Sequence, residues 1–119
     1  MGRKSKSTLL KERIEDLKQI FAEVPAERMK VAEPMLTRVA KMEFYLHDLE
    51  DEIDKVGFVE QYQNGNNQFG SKESTASRSY STVIKNYNSL VRTLLSLLPD
   101  DARQDASDGF DEFLQHGRK

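Results

Sequence analysis

The side chains whose types and spacing could bind a metal ion are Glu43, His47 and Asp51, which follow one another every four residues. On a helix this spacing places all three on one face, and carboxylates and imidazoles are ordinary zinc ligands. One straight face rarely converges three ligands on a single ion, and the sequence offers no second cluster to complete a site. Further carboxylates between residues 50 and 54 continue the run. The pattern therefore predicts a solvated acidic face, with no metal and no cofactor.

Other kinds of catalytic chemistry have no sequence support. The chain has 119 residues and no cysteine, which excludes thiol catalysis, thiolate metal sites and disulfides. It contains no nucleophile elbow, no P-loop and no dinucleotide-binding glycine pattern. We therefore predict that the protein is not an enzyme.

Charge is distributed unevenly, although the formal net charge is only −2. Residues 1–13 are basic, with Glu12 as their one carboxylate, whereas residues 100–116 carry six carboxylates against Arg103 alone. Blocks of opposite sign are typical of contacts with two different partners, or of two solvated tails. We divide the chain into a basic arm at residues 1–7, one helical oligomerisation domain at 8–98 and an acidic segment at 99–119.

Nothing in the sequence predicts a membrane or secreted protein. No window approaches about 18 consecutive apolar residues. Charges at residues 11–13 interrupt the apolar region that a signal peptide would need. We expect a cytoplasmic protein that is not secreted and does not bind a membrane.

Apolar periodicity predicts an all-α fold. An amphipathic stripe predicts a helix over about 8–23. Two longer ridges alternate steps of four and three residues and predict helices over about 34–56 and 75–98. Their matching length and single connection predict a long antiparallel helical hairpin. Pro34 is expected in the first turn of its helix, after a short helical piece, with a kink as the alternative.

The helix over 75–98 has a second apolar stripe beside the hairpin seam, and this stripe needs its own cover. We expect the N-terminal helix to cover part of it and a neighbouring subunit to cover the rest. The acidic segment predicts only a short helix of about two turns, which is marginal alone. Its apolar residues either pack against the hairpin or await a partner.

The connection from Gly57 to Thr75 reads GFVEQYQNGNNQFGSKEST and has no helical pattern. Such long connections are usually functional or disordered. Asn64-Gly65 is a strong hairpin-turn signal, and three aromatic side chains flank it. A two-stranded ribbon, an irregular loop that orders against another subunit and a mobile tip all remain open. The fold prediction treats the segment as a long polar loop.

The string GFVEQYQNGNNQFGSKES, followed by Tyr80, Lys85, Tyr87 and LVRTLLSLLPDDAR, resembles the small subunit of a tailed-phage terminase, of the type found in phages and prophages of Gram-positive bacteria. The resemblance covers roughly residues 36–103. It implies a non-catalytic DNA-packaging factor in the bacterial cytoplasm. Such a subunit forms a homo-oligomeric ring, binds double-stranded viral DNA, and recruits or regulates the large-subunit ATPase and nuclease. Too little chain precedes the hairpin for the helix-turn-helix that many small terminases carry.

Under this resemblance we assign three groups of residues. The predicted DNA contacts are Arg3, Lys4, Lys6, Lys11, Arg13, Lys72, Arg78 and Lys85. The predicted oligomer interface is Ile84, Val91, Leu94, Leu95, Leu98, Tyr62 and Phe69. The predicted large-subunit contact is Phe110, Phe113 and Leu114.

Two alternatives remain at this point. The chain could be a coiled-coil adaptor or regulator that never meets nucleic acid, or a structural component of a phage head or connector. The mass of the protein in solution separates a ring from a small adaptor, and stimulation of a terminase ATPase separates the packaging factor from a connector.

Overall fold

The fold is that of a computed structural model, which describes residues 4–63, 65 and 68–116. Within these residues there are four helices and one two-stranded antiparallel sheet. In chain order the elements are α1 (Lys6–Ile20), α2 (Ala26–Val56), β1 (Val59–Gln63), β2 (Phe69–Glu73), α3 (Thr75–Ser96) and α4 (Asp100–His116).

Helices α2 and α3 pack side by side along the predicted seams. Val39 and Leu46 of α2 are buried in the same core cluster as Tyr87 and Leu94 of α3. The side chains of Glu43 and Tyr87 are hydrogen-bonded across the pair. The helices run antiparallel because the connection between them returns the chain through a β-hairpin.

Capping residues set the helix boundaries. The Ser5 side chain accepts a hydrogen bond from the Thr8 amide and starts α1 earlier than the predicted residue 8. Gly57 ends α2 with φ of +82°, a left-handed conformation that glycine adopts without steric cost. The predicted N-cap of α3 is confirmed, since the Ser74 hydroxyl accepts from the Ser77 amide.

The all-α prediction is wrong, because the connection expected as a long polar loop forms the β1–β2 ribbon. Gly65 at its turn has φ of +81°, which favours glycine. Tyr62 pairs with Gly70, and the Tyr62 ring occupies the space where a side chain at residue 70 would begin. A Cβ on Gly70 would lie 2.7 Å from that ring. The ribbon is therefore a built element with a specified register.

Helix α2 starts eight residues before the predicted start, and Pro34 lies inside it. Proline has no N–H group, so this position lacks one backbone hydrogen bond. Ala32 and Leu36 on either side are fully buried. Their burial against the core keeps the helix continuous where sequence signals alone predicted a break.

The C-terminal helix is also longer than the predicted two turns, since α4 spans 17 residues. Asp100 and Asp101 lie in its first turn, where carboxylates interact favourably with the helix dipole. Ala106 and Phe110 are buried in the main core. This packing stabilises a helix that would be marginal by itself.

The molecule divides into two unlike regions. The chain measures 62 × 38 × 22 Å, and its radius of gyration of 18.0 Å exceeds the about 13.5 Å expected for a compact domain of this length. The main core cluster has no fully buried member between Leu46 and Tyr87. We call residues 49–83 the arm, which contains the tip of the helix pair and the ribbon. We call the remaining described residues the body.

None of the helices in the part of the chain that the structure describes has both the length and the apolar character required to cross a bilayer.

Candidate functional site

The body contains a buried charged cluster. The guanidinium of Arg13 on α1 donates to both carboxylate oxygens of Glu43 on α2, at 2.8 and 2.9 Å. The hydroxyl of Tyr87 on α3 donates to the same carboxylate at 2.8 Å. All three side chains are buried. Bidentate geometry and a third donor satisfy the charges, which makes their burial tolerable.

Helix α4 closes this cluster with aromatic rings. The Phe113 ring centroid lies 4.0 Å from the Arg13 guanidinium carbon, within the range of a cation–π interaction. The Phe110 ring packs at 5.8 Å from the Phe21 ring and at 6.4 Å from the Tyr87 ring. The cluster therefore joins all four helices of the body.

Burial chiefly, together with the neighbouring Glu43 carboxylate, raises the pKa of the Tyr87 hydroxyl far above that of an exposed tyrosine. The raised pKa favours the protonated hydroxyl, which donates the hydrogen bond to Glu43. A protonated hydroxyl can donate a hydrogen bond that holds two helices together. We therefore interpret the cluster as a structural connection between the helices.

The predicted solvated acidic face is wrong for Glu43, which is fully buried and paired. His47 lies near Glu50, with its Nδ1 3.6 Å from the carboxylate, and its ring packs on Phe113. Among the described residues, no group of three metal-binding side chains comes together.

Sequence reasoning missed the cluster, although a signal for it was present. Arg13 lies between Leu10 and Leu17 on the apolar stripe of α1, and Glu43 lies three residues after Ala40 on a buried stripe of α2. A basic and an acidic residue, each on an apolar stripe of a different helix, indicate a buried ion pair. Only the tertiary fold shows that they meet.

Both cations in the described part of the predicted basic arm, Lys4 and Lys6, are paired with carboxylates. Lys4 pairs with Glu12 at 2.8 Å and Lys6 pairs with Asp48 at 3.2 Å, both on the surface. Arg13 is buried and so leaves the set of candidate DNA contacts. Lys11 is exposed. Arg3 lies outside the described residues.

The other predicted DNA contacts lie in β2 and on α3. Lys72, Arg78 and Lys85 are all exposed. Arg78 approaches the Glu73 carboxylate only at 4.0 Å. These side chains are available to a ligand, in contrast to Arg13.

The predicted interface stripe of α3 is largely covered by the chain itself. Leu94 and Leu98 are buried in the core cluster, and Ile84, Val91 and Leu95 are half-buried against it. Helices α1 and α4 contribute to the same core. No neighbouring subunit is needed to hide this stripe.

The predicted large-subunit contact is engaged within the body. Phe110 is buried. Phe113 and Leu114 are half-buried, and the Phe113 ring packs 6.1 Å from the Phe44 ring. These three residues supply the inner face of α4.

The ribbon differs because its apolar side chains are exposed. Phe69 is 73% exposed, Phe58 69%, Val59 55% and Tyr62 42%. The strand register places Val59 and Phe69 on one face of the ribbon and Tyr62 on the opposite face, so both faces present large apolar side chains to solvent. Tyr62 and Phe69 were both predicted in the oligomer interface, and the structure leaves them accessible.

Two hydrogen bonds connect the ribbon to the start of α3. The Ser74 amide donates to the Phe58 carbonyl at 2.8 Å. The Thr75 amide donates to a carboxylate oxygen of Glu60 at 3.2 Å. The exposed aromatic residues are therefore held in a defined orientation at the end of the arm.

Comparison of the chain with protein-family models, with curated proteins and with solved structures finds no match. A helical body presents a ribbon with exposed aromatic side chains on a projecting arm.

Proposed function

We propose that this chain is the small subunit of a tailed-phage terminase. In this role it is a non-catalytic packaging factor that self-associates into a ring and binds double-stranded viral DNA. It recruits or regulates the large subunit, which carries the ATPase and nuclease.

The observation that supports the proposal most is the exposed ribbon. An isolated two-stranded ribbon is marginally stable in water and gains stability from further strands or packing. Here Phe69 at the start of β2 and Phe58 just before β1 are 73% and 69% exposed. A second copy of the chain could pair with an open strand edge and bury part of the apolar surface on either face of the ribbon.

The ribbon also has the asymmetry that a ring requires. Its two edges belong to different strands, β1 and β2. Pairing of β1 in one copy with β2 in the next is a heterologous contact, which repeats around a closed ring when the rotation permits. An interface of this kind replaces the apolar residues along α3 that we first assigned to subunit contacts.

Assembly would also strengthen DNA binding. The net charge of −2 makes a single copy a poor ligand for a polyanion. A ring presents the same cations many times, and each additional contact becomes intramolecular once the first has formed.

The self-association is tested by light scattering on protein eluted from a sizing column. We expect the wild type to be a multimer, and Phe58→Ser/Phe69→Ser to give smaller species. Val31→Ser/Tyr45→Ser is the matched control, because it also removes two exposed apolar side chains, 66% and 54% exposed, but from the body. A wild type that is monomeric at all concentrations contradicts the proposal, as does an equal effect of the two variants.

The packaging role is tested with the large subunit encoded next to this chain in its genome. We expect the wild-type assembly to bind linear duplex DNA and to change the ATPase rate of the large subunit. An assembly that does neither would be a helical adaptor. An assembly that binds DNA and leaves the ATPase unchanged would also contradict the terminase assignment.

A further inference from the structure

The exposed face of α3 carries a row of cations. Arg78, Lys85 and Arg92 are the only charged side chains in the helix, which contains no aspartate or glutamate. They are spaced by seven residues, so they lie on one face, and all three are exposed. We call this row the α3 stripe. At 1.5 Å per residue it is about 21 Å long.

The side chains around the α3 stripe are polar and uncharged. The other exposed residues of the helix are Thr75, Ser81, Thr82, Asn86, Asn88, Ser89, Thr93 and Ser96. No carboxylate of the helix itself weakens the positive potential. Glu73 approaches Arg78 at 4.0 Å, but the pair is exposed and contributes little.

The α3 stripe and the N-terminal cations therefore differ. Lys4 and Lys6 are each within 3.2 Å of a carboxylate of the same molecule. Among the described residues, no carboxylate forms an ion pair with Lys85 or Arg92. Among the described residues, Lys85 and Arg92 of α3 are therefore unpaired, whereas both described cations of residues 1–7 are paired.

The composition of this face favours a polyanion over a protein. Protein interfaces have an apolar centre and are depleted in lysine and serine. The exposed face of α3 has no apolar side chain. Arginine, lysine, serine, threonine and asparagine are the residues that contact DNA phosphates.

We propose that the α3 stripe binds the phosphate backbone of double-stranded DNA without reading its sequence. The inference rests on the proposed function and specifies the surface that performs its DNA-binding step. A length of about 21 Å corresponds to about six base pairs measured along the duplex axis. Three cations seven residues apart can contact phosphates along that length.

The test measures the salt dependence of affinity for a 30-base-pair duplex of arbitrary sequence by fluorescence anisotropy. The variant is Arg78→Gln/Lys85→Gln/Arg92→Gln. The matched control is Arg28→Gln/Lys30→Gln/Arg38→Gln, which removes two arginines and one lysine from exposed positions of α2. Glutamine is a good helix former, so both variants keep their helices.

We expect the α3 variant to bind more weakly and to lower the slope of log affinity against log salt by about 2.7 per bound protomer, at about 0.9 per lost phosphate contact. We expect the α2 variant to leave the slope close to that of the wild type. Equal slopes for the two variants would overturn the inference while leaving DNA binding itself intact. A wild type with no DNA affinity would overturn both this inference and the proposed function.

Light scattering on the same samples excludes a protein ligand. The α3 variant should retain the wild-type mass. If the variant dissociates while its salt slope is unchanged, the α3 stripe binds carboxylates of a second copy, and the inference is wrong.

Discussion

The body and the arm share the helix pair α2 and α3, but they bury their apolar side chains to different extents. In the body, α1 and α4 cover the pair, and apolar, aromatic and even ionised side chains such as Arg13 and Glu43 are buried. In the arm, the pair continues without cover and ends in a ribbon that exposes Phe58 and Phe69. The comparison shows that the fully buried apolar core lies where all four helices meet, and that the arm has no equivalent core to cover its aromatic side chains.

This difference changes where a partner is expected. A heptad seam with a spare apolar stripe on α3 suggested an interface along that helix, but the stripe is largely covered within the chain. The surface available to a second copy is the ribbon. It is small, exposes aromatic side chains and is joined to the start of α3 by a backbone hydrogen bond. Stability should therefore depend on the body, and assembly on the arm.

The largest effect should come from breaking the buried charged cluster. Arg13→Met leaves the Glu43 carboxylate buried without its main counter-charge, and we expect a loss of about 3–5 kcal/mol in the free energy of unfolding, measured with urea. The double variant Arg13→Met/Glu43→Leu should recover much of this loss, because no charge is then stranded. A loss below about 1 kcal/mol for Arg13→Met would mean that the cluster is not essential to the body.

A pair of truncations compares the two regions directly. Leu94→Ala creates a cavity in the body and should cost about 2–5 kcal/mol in the free energy of unfolding. Phe69→Ala removes a larger but exposed side chain and should change the stability of the dissociated chain by less than about 0.5 kcal/mol. Urea unfolding at concentrations below assembly measures both. Similar losses would contradict the division between body and arm.

Tyr87→Phe should cost about 1.5–3 kcal/mol at neutral pH, because Glu43 loses a hydrogen-bond donor. It should also alter the response to alkali. Because the pKa of Tyr87 is raised on folding, its contribution is complete below the pKa of an unfolded tyrosine, near 10, and declines above it. From this residue the free energy of unfolding should fall by about 1.4 kcal/mol per pH unit above pH 10.

Urea unfolding between pH 9 and 11.5 measures this difference, since the other titrating groups are common to both proteins. Tyr87→Phe should show the shallower decline above pH 10. Parallel curves for the two proteins would mean that Tyr87 ionises in the folded state as readily as in the unfolded chain.

Only a small effect is expected at the surface ion pairs of the N-terminal region. Lys6→Gln removes the exposed pair with Asp48 and should change the free energy of unfolding by at most about 1 kcal/mol. Added salt should reduce the difference further. A loss as large as that of Arg13→Met would show that α1 is held to the body by its exposed end and not by the buried cluster.

The sequence predicted those features that depend on local chemistry. The apolar ridges of α2 and α3, the glycine at the end of α2 and the Ser74 cap depend on residues close to one another in the chain. The length of α4 and the continuity of α2 through Pro34 could not be predicted, because tertiary burial of Phe110 and Leu36 overrides weak local signals. The ribbon was one of three readings of its segment, and Gly70 beneath the Tyr62 ring shows how its register is specified.

The candidate sites were predicted less well than the helices. Arg13 was assigned to DNA because it lies in a basic stretch, yet its place on the apolar stripe of α1 commits it to the core. Arg92 was not singled out, because one arginine in a leucine-rich segment has no local signature. Its relation to Arg78 and Lys85 emerges only when the exposed face of α3 is known.

Hydrogen–deuterium exchange above and below the assembly concentration tests most directly whether the body is self-contained and the arm is the association surface. We predict that amides of Phe58–Glu73 exchange rapidly in the dissociated chain and become protected on assembly, while those around Leu94 are equally protected in both states. The opposite pattern, with protection gained on assembly around Leu94 and α4 and none in the ribbon, would contradict the account.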